Sequence, residues 1–261
     1  VDFERLVATA EAAADAAGRV IRPFFRGASL GLQTKTDLSP VTIADRDAER
    51  AIRAVIGDRE PGHRILGEEA GEDGKGPGPL WIVDPIDGTR AFITGRPTFG
   101  TLIALLEDGR PVLGLIDQPV TGERWIGVAG AATRFRGPFG GRPGTRPCPD
   151  LAQAELAATT PAMFAGEARA GFDRLAASTA RTSWGGDCYL YGLLALGQID
   201  IVAEATMHVW DWAALVPIIQ GAGGVMTDWH GRALTADGNG EVLALGDRAL
   251  LHAASALLTA A

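Results

Sequence analysis

Between Phe3 and Ala17 the apolar positions Phe3, Leu6, Val7, Ala10, Ala14 and Ala17 recur at helical spacing, with Asp2, Glu4, Glu11 and Asp15 set among them. That pattern predicts an amphipathic helix, closed near Pro23 to Gly27, where proline and glycine stop a helix. A polar stretch, "QTKTDLSPVTIAD", leads into a second helix from about Asp45 to Gly57, with Ala48, Ile52, Val55 and Ile56 inward. The period then shortens. The runs "RILGEE", "LWIVD", "FGTLIALLEDG", "PVLGLIDQP" and "ERWIGVAG" are separated by Gly or Pro and read as successive strands with antiparallel connections.

Residues 127–149 are dense in Gly, Pro and Arg and are expected to form a loop or hairpin beside a boundary. Beyond them the pattern alternates: a helix around 162–180, a strand at "TSWGG", a helix at "CYLYGLLALG" and a strand at "IDIVAEA". There follow a helix "WDWAALVPIIQGAGG", strands "VMTD" and "EVLALG", and a final helix from Arg248. Such alternation predicts an α/β unit. The expected fold class is therefore α/β, as an α+β domain over residues 1–148 followed by an α/β domain over 149–261, with no sequence repeat.

The 261 residues are enough for one large or two small domains, and 46% hydrophobic with 21% charged residues is a globular composition. No apolar run approaches the roughly 20 residues of a membrane span. The acidic residues in the N-terminal helix are unlike a signal peptide, so a cytoplasmic location is expected. Cys148 and Cys188 lack the spacing of a redox or zinc motif and are expected to be free thiols. A net charge of −8 argues against nucleic-acid or anionic-membrane partners. If the substrate is anionic, the acidic excess points to a cation that mediates the contact, though the same charge also serves solubility.

"WIVDPIDGTRAFITG" supplies the candidate chemistry. Asp84 follows a buried strand, at the end where α/β proteins place ligands. A helical start at Pro85 would let Asp84 and Asp87 face one site, with the N–H groups of Gly88 and Thr89 as anion donors. Glu68 and Glu69 end "RILGEE", and Asp211 stands at a strand-to-helix junction, where it could cap the helix or bind a metal. Hard oxygen ligands from several loops suit Mg²⁺. His63, His208, His230 and His252 have no zinc spacing. A haloacid-dehalogenase-type phosphatase needs aspartates at i and i+2, and an EF-hand needs a glutamate where Gly95 stands, so neither motif is present.

"GEEAG", "WIVDPIDGTRAF" and "HVWDWAALVPIIQGAGGVMTD", in that order, resemble the inositol monophosphatase family of metal-dependent phosphomonoesterases, which share the fold of fructose-1,6-bisphosphatase. The resemblance runs from about Lys35 to Gly231. It implies a layered αβαβα sandwich, two or three Mg²⁺ ions per active site and a homodimer acting on a small phosphate monoester. It further implies that Glu68, Asp84, Asp87, Asp211 and the Ile86 carbonyl ligate metal. Asp45 and Thr89 would orient water together with Glu68 in catalysis, and Gly88 and Thr89 would cradle phosphate. Lys35 matches a basic residue on a mobile metal-site loop, or is simply exposed. Glu69 either backs the ligands or is a surface residue, and Trp81, Trp210 and Trp212 would stiffen the ligand backbone.

"FITGRPTFGTLIALLEDGRPVLGLIDQPVTGERWIG" and "GGDCYLYGLLALG" are similar to the histidinol-phosphatase branch of that family. Glu204 matches a position contacting the substrate's organic part. Asp187, beside Gly186, stands where inositol phosphatases carry a small neutral residue. Two carboxylates there favour a cationic leaving group. Hydrolysis of L-histidinol phosphate, a step of histidine biosynthesis, is the expected reaction, with inositol 1-phosphate or another small phosphate ester as the alternative. Asp187 could instead cap the helix it precedes. A non-catalytic metal-binding regulator should have lost one of these oxygens, and none is lost. The arginines 134, 136, 142 and 146 are expected to lie on a solvated loop.

Overall fold

The computed structural model describes residues 2–27, 33–34, 40–74 and 76–260. Two helices come first. Asp2 caps α1 (Phe3–Ile21) by accepting the Arg5 N–H. After a short ribbon of β1 (Gln33–Thr34) and β2 (Pro40–Val41), α2 (Ile43–Arg59) starts on a capping box between Thr42 and Asp45. Leu6, Val7, Ala10, Ala14 and Ala17 of α1 and Ala48, Ile52 and Ile56 of α2 are buried as their spacing predicts, with Phe3 and Val55 half-buried at the edges.

The next strands are β3 (Arg64–Gly67), β4 (Gly71–Asp73), β5 (Leu80–Asp87), β6 (Gly100–Glu107), β7 (Arg110–Gln118), β8 (Glu123–Val128) and β9 (Arg134–Arg136), with the short helix α3 (Thr89–Ile93) between β5 and β6. They form a seven-stranded sheet ordered β4-β3-β5-β6-β7-β8-β9, antiparallel except for the β3–β5 pair. The later strands are β10 (Glu155–Ala158), β11 (Arg181–Trp184), β12 (Ile201–Glu204), β13 (Val225–Thr227) and β14 (Val242–Leu245). They make a five-stranded sheet ordered β11-β10-β12-β14-β13, parallel around β10 and antiparallel around β14. The remaining helices are α4 (Gly166–Ser178), α5 (Cys188–Ala195), α6 (Val209–Trp212), α7 (Leu215–Gly221) and α8 (Leu251–Thr259).

Three apolar clusters stack these elements into αβαβα layers. One lies between α1, α2 and the seven-stranded sheet. A central one joins that sheet (Ile82, Leu102, Trp125) through α5, α6 and α7 to the five-stranded sheet (Val202, Val242, Ala244). The third packs α4 and α8 on the outer face. The middle layer sits unusually close to the larger sheet. Gly114 and Gly127 are cross-strand partners, and a Cβ would come within 1.9 Å of the Ala214 carbonyl oxygen at the first and 2.3 Å of the Ile218 nitrogen at the second. Only residues without a side chain allow backbone to rest on backbone there.

The structure departs from the sequence reading in four places. The expected single helix over "WDWAALVPIIQGAGG" is two, because Pro217 would clash with the carbonyl four residues back, at Ala213, where the break falls. The segment "ELAA" has no strand propensity, yet β10 lies inside the smaller sheet because both neighbours pair with it. Residues 127–149 include the hairpin strand β9, as one of the two expected alternatives, but the arginines are not all on a solvated loop: Arg134 and Arg136 belong to β9, and Arg146 makes a two-pronged pair with Asp200 at 2.7 and 2.6 Å. Finally, β5 does not end at Asp84.

Candidate active site

That last difference builds the site. In a regular strand residues i and i+3 point to opposite faces. In β5, Asp84 is opposite Leu102 and Asp87 is opposite Gly100, so three steps on β5 match two on β6. The extra residue is a bulge, and Pro85 sits inside it with its carbonyl accepting the Thr101 hydroxyl at 2.8 Å. The bulge, not a helical start, turns both carboxylates to one side. Asp84, Asp87 and Asp211 each present an oxygen within 4.8 Å of the others.

Each side chain is held by its own element. Asp84, 2% exposed, accepts the Ile86 N–H at 3.0 Å. Asp87 accepts the Cys188 N–H at 2.6 Å, so a carboxylate from one sheet caps the first turn of α5 in the middle layer. Asp211, in the first turn of α6, accepts the His208 N–H at 2.7 Å. It is therefore both a cap and a member of the cluster. Glu68 follows β3, hydrogen-bonds Asp84 and raises its pKa by charge repulsion. Behind it, Glu49 accepts the Glu69 N–H at 2.8 Å, the Ala70 N–H at 3.1 Å and the Arg53 Nε at 2.8 Å, fixing the turn that carries Glu68.

Burial pushes the Asp84 carboxyl well above its usual range, and Glu68, Asp87 and Asp211 push it further. Burial and then Asp187 and Asp211 do the same to Asp87. Among the described residues no guanidinium or ammonium lies in ion-pair contact with Asp84 or Asp87. A buried carboxylate without a counter-charge costs several kcal/mol. The donor set, all oxygen and strongly anionic, therefore fits a hard divalent cation.

Asp45, 1% exposed, accepts the N–H and hydroxyl of Thr42 through Oδ2, leaving Oδ1 toward Thr89 at 3.4 Å. The Thr89 hydroxyl also lies 3.2 Å from the Ile86 carbonyl. Burial raises the Asp45 pKa against its hydrogen bonds with Thr42. Gly88 has φ +87°, and a Cβ there would meet the Asp187 carboxyl carbon at 2.8 Å, so glycine is required twice over. Gly88 and Thr89 head α3, where helix geometry leaves their N–H groups without an intrahelical acceptor.

Asp187 precedes α5 with φ +48°, rare for a non-glycine residue, and its side chain accepts no hydrogen bond from that helix. It lines a cavity of about 150 Å³ together with Asp87, Thr159, Met163, Glu204 and Asp211. Asp187 and Thr159 also line a second cavity of about 280 Å³ with Arg90, Arg96 and Trp184. Burial, then Glu204, raises Asp187 to about 7 against the pull of Arg96 and Arg90. Glu204 is 3% exposed and accepts the Thr159 N–H at 2.8 Å and the Tyr191 hydroxyl at 2.9 Å. Gly186 is buried beside Leu190, where a Cβ would come within 2.6 Å of that side chain.

Trp81 donates to His63 in the outer core, Trp212 is buried in the central one, and Trp210 stacks on His208 at 4.8 Å. Cys148 and Cys188 are free and buried. Lys35 lies outside the described residues. Sequence reading singled out neither Glu49, Thr159 and Tyr191 nor Arg90, Arg96 and Trp184. None belongs to an acidic motif, and only the fold brings them to the site. No helix among the described residues is long and apolar enough to cross a membrane.

The raised carboxyl pKa values have a definite sign. Below about pH 4 these groups are protonated in both the folded and unfolded chain and impose no penalty. As pH rises the unfolded chain ionises first, so stability falls, with the contribution of Asp187 lost by about pH 7. Metal-chelated protein is therefore expected to melt lower at pH 7.5 than at pH 5, and Mg²⁺ is expected to recover the loss at pH 7.5. Equal melting midpoints of the chelated protein at both pH values would count against an uncompensated cluster.

The model for the "Inositol monophosphatase family" matches residues 2–259. A solved structure described as an inositol monophosphatase from Zymomonas mobilis superposes with a TM-score of 0.89 at 48% identity, covering 99% of each chain. The chain is 47% identical over 88% of its length to "Bifunctional phosphatase IMPL2, chloroplastic" of Arabidopsis thaliana, of whose length it spans 66%. It is 39% identical to a histidinol-phosphatase of Mycobacterium tuberculosis over 92% of both chains. The fold, with its carboxylates gathered between two sheets, is that of a phosphatase class acting on small phosphate monoesters with a metal, typically Mg²⁺. The chain belongs to the inositol monophosphatase family.

Proposed function

We propose that the protein is a Mg²⁺-dependent histidinol-phosphatase, hydrolysing L-histidinol phosphate to L-histidinol and phosphate in histidine biosynthesis, as a cytoplasmic homodimer. Glu68, Asp84, Asp87, Asp211 and the Ile86 carbonyl would hold Mg²⁺, which supplies Lewis acidity toward water and the phosphoryl oxygens. The chain's own groups do the rest. Asp45, raised by burial, accepts a proton at Oδ1 from a water that the Thr89 hydroxyl helps to orient. The Gly88 and Thr89 N–H groups receive the phosphate oxygens. Residues 1–148 then form the domain with most of the ligands, and 149–261 the domain with Asp211 and the substrate contacts.

The observation that carries the substrate reading is the place of Asp187. It stands between the acid cluster and the larger cavity, uses no oxygen to cap α5, and makes no ion pair within the described residues. A cationic leaving group would complete it. The identity to the mycobacterial histidinol-phosphatase supports the same reading. The Zymomonas structure favours a second one, an inositol phosphate substrate. Phosphate release from L-histidinol phosphate and inositol 1-phosphate, assayed in parallel with and without Mg²⁺, separates them. Asp187→Ala is expected to raise KM for the cationic ester about tenfold and to leave a neutral ester nearly unchanged. An equal effect on both would make Asp187 structural.

A further inference from the structure

A further charged cavity lies where β8 and β9 of the seven-stranded sheet meet α1. It measures about 160 Å³ and is lined by Glu11, Arg124, Ile126, Arg134, Phe135 and Arg136. The β8–β9 register makes Arg124 the cross-strand partner of Arg136, and Ile126 that of Arg134. Strand alternation then places three guanidiniums on the side facing α1, while Trp125 and Phe135 pack together at 4.9 Å on the other. Like charges directly opposite one another destabilise a strand pair unless something anionic lies between them.

Arg124 is 4% exposed. Its Nε donates to Asp117 at 2.7 Å and one terminal nitrogen to Asp15 at 2.6 Å. The other terminal nitrogen, Nη1, is buried without a hydrogen-bond partner, and Glu11 on the cavity wall stays 3.6 Å from it. Arg136 makes no ion pair or hydrogen bond through its side chain among the described residues, and Arg134 reaches only Glu4 at 3.7 Å. The lining therefore carries three guanidiniums and the Glu11 carboxylate, with Asp117 and Asp15 engaging Arg124 from behind and Glu4 near Arg134, and one buried donor is left over. Leaving such a donor unmet is destabilising.

We infer that this cavity is a binding site for a small multivalent oxyanion of the size and charge of phosphate, separate from the candidate active site. The anion accepts from Arg124 Nη1 at the floor and is closed over by Arg134 and Arg136, whose exposed side chains are free to swing inward. It clamps β8 and β9 onto α1. Glu11 competes for the same guanidinium and sets the affinity.

The test is calorimetric titration of inorganic phosphate into the full chain, with Mg²⁺ and, separately, in EDTA, where the acidic cluster repels phosphate. One site per chain is expected to persist in EDTA. Arg136→Gln should weaken it about tenfold and Glu11→Gln should tighten it severalfold. Both variants are expected to keep wild-type turnover at low phosphate, because neither residue touches the candidate active site. Loss of all binding in EDTA, or Arg136→Gln binding as the wild type does, would overturn the assignment.

Discussion

Replacing Asp84 by asparagine is expected to abolish phosphate release at every Mg²⁺ concentration, a fall of about 10³-fold or more, equivalent to ~4 kcal/mol at the transition state. The amide keeps the shape and the 3.0 Å contact with the Ile86 N–H can persist. What disappears is the charge at the centre of a cluster in which Glu68, Asp87 and Asp211 all press on this carboxyl. The same substitution should act oppositely on stability. In EDTA the variant is expected to melt above the wild type, because one buried, uncompensated anion is gone. Activity lost with chelated stability gained is the signature of a residue kept for cation binding rather than for folding. Near-normal turnover would sink the metal assignment. A variant that melts lower in EDTA would instead mark Asp84 as structural.

Much of this arrangement is legible in the sequence, and the illegible parts share a cause. Helical and strand periods report burial, so α1, α2 and the strands from β5 to β8 can be read from apolar spacing. The acidic motif locates Asp84 and Asp87 because their residue types and neighbours are unusual. Its geometry is harder to read. A strand that carries proline invites the expectation of a turn, whereas pairing with β6 extends it through a bulge. Pairing partners are remote in sequence, and β10 is missed for the same reason: its register with β11 and β12 overrides "ELAA". The organic side of the site is the least legible. Asp187 and Glu204 read as a bare acidic pair, but Glu204 already accepts from Thr159 and Tyr191. Arg90 and Arg96 share the neighbouring cavity. In the proposed function, specificity rests chiefly on Asp187, whose φ of +48° is a backbone strain of the kind that clusters at functional sites.

The cross-strand glycines tie the fold to the chemistry, and Gly114→Ala should show it. A Cβ at position 114 would lie 1.9 Å from the Ala214 oxygen and 2.9 Å from the Pro217 ring. The opposing atoms are mostly backbone, so they cannot rotate away, and the junction of α6 and α7 must lift by about 1 Å or more. Overpacking of this kind costs about 1–3 kcal/mol. The larger consequence is catalytic. Asp211 sits one turn before the contact, and its partners Asp84 and Asp87 stay with the sheet. A displacement of about 1 Å in a constellation of this kind can cost about 10²-fold in rate. The variant is therefore expected to be folded, less stable, and about 10²-fold less active, with a raised Mg²⁺ requirement. Gly57→Ala, in α2 with no atom within 4 Å of the added carbon, is the control and should be neutral or slightly stabilising. If Gly114→Ala lost stability but kept its Mg²⁺ requirement, the middle layer would not be what sets the position of Asp211.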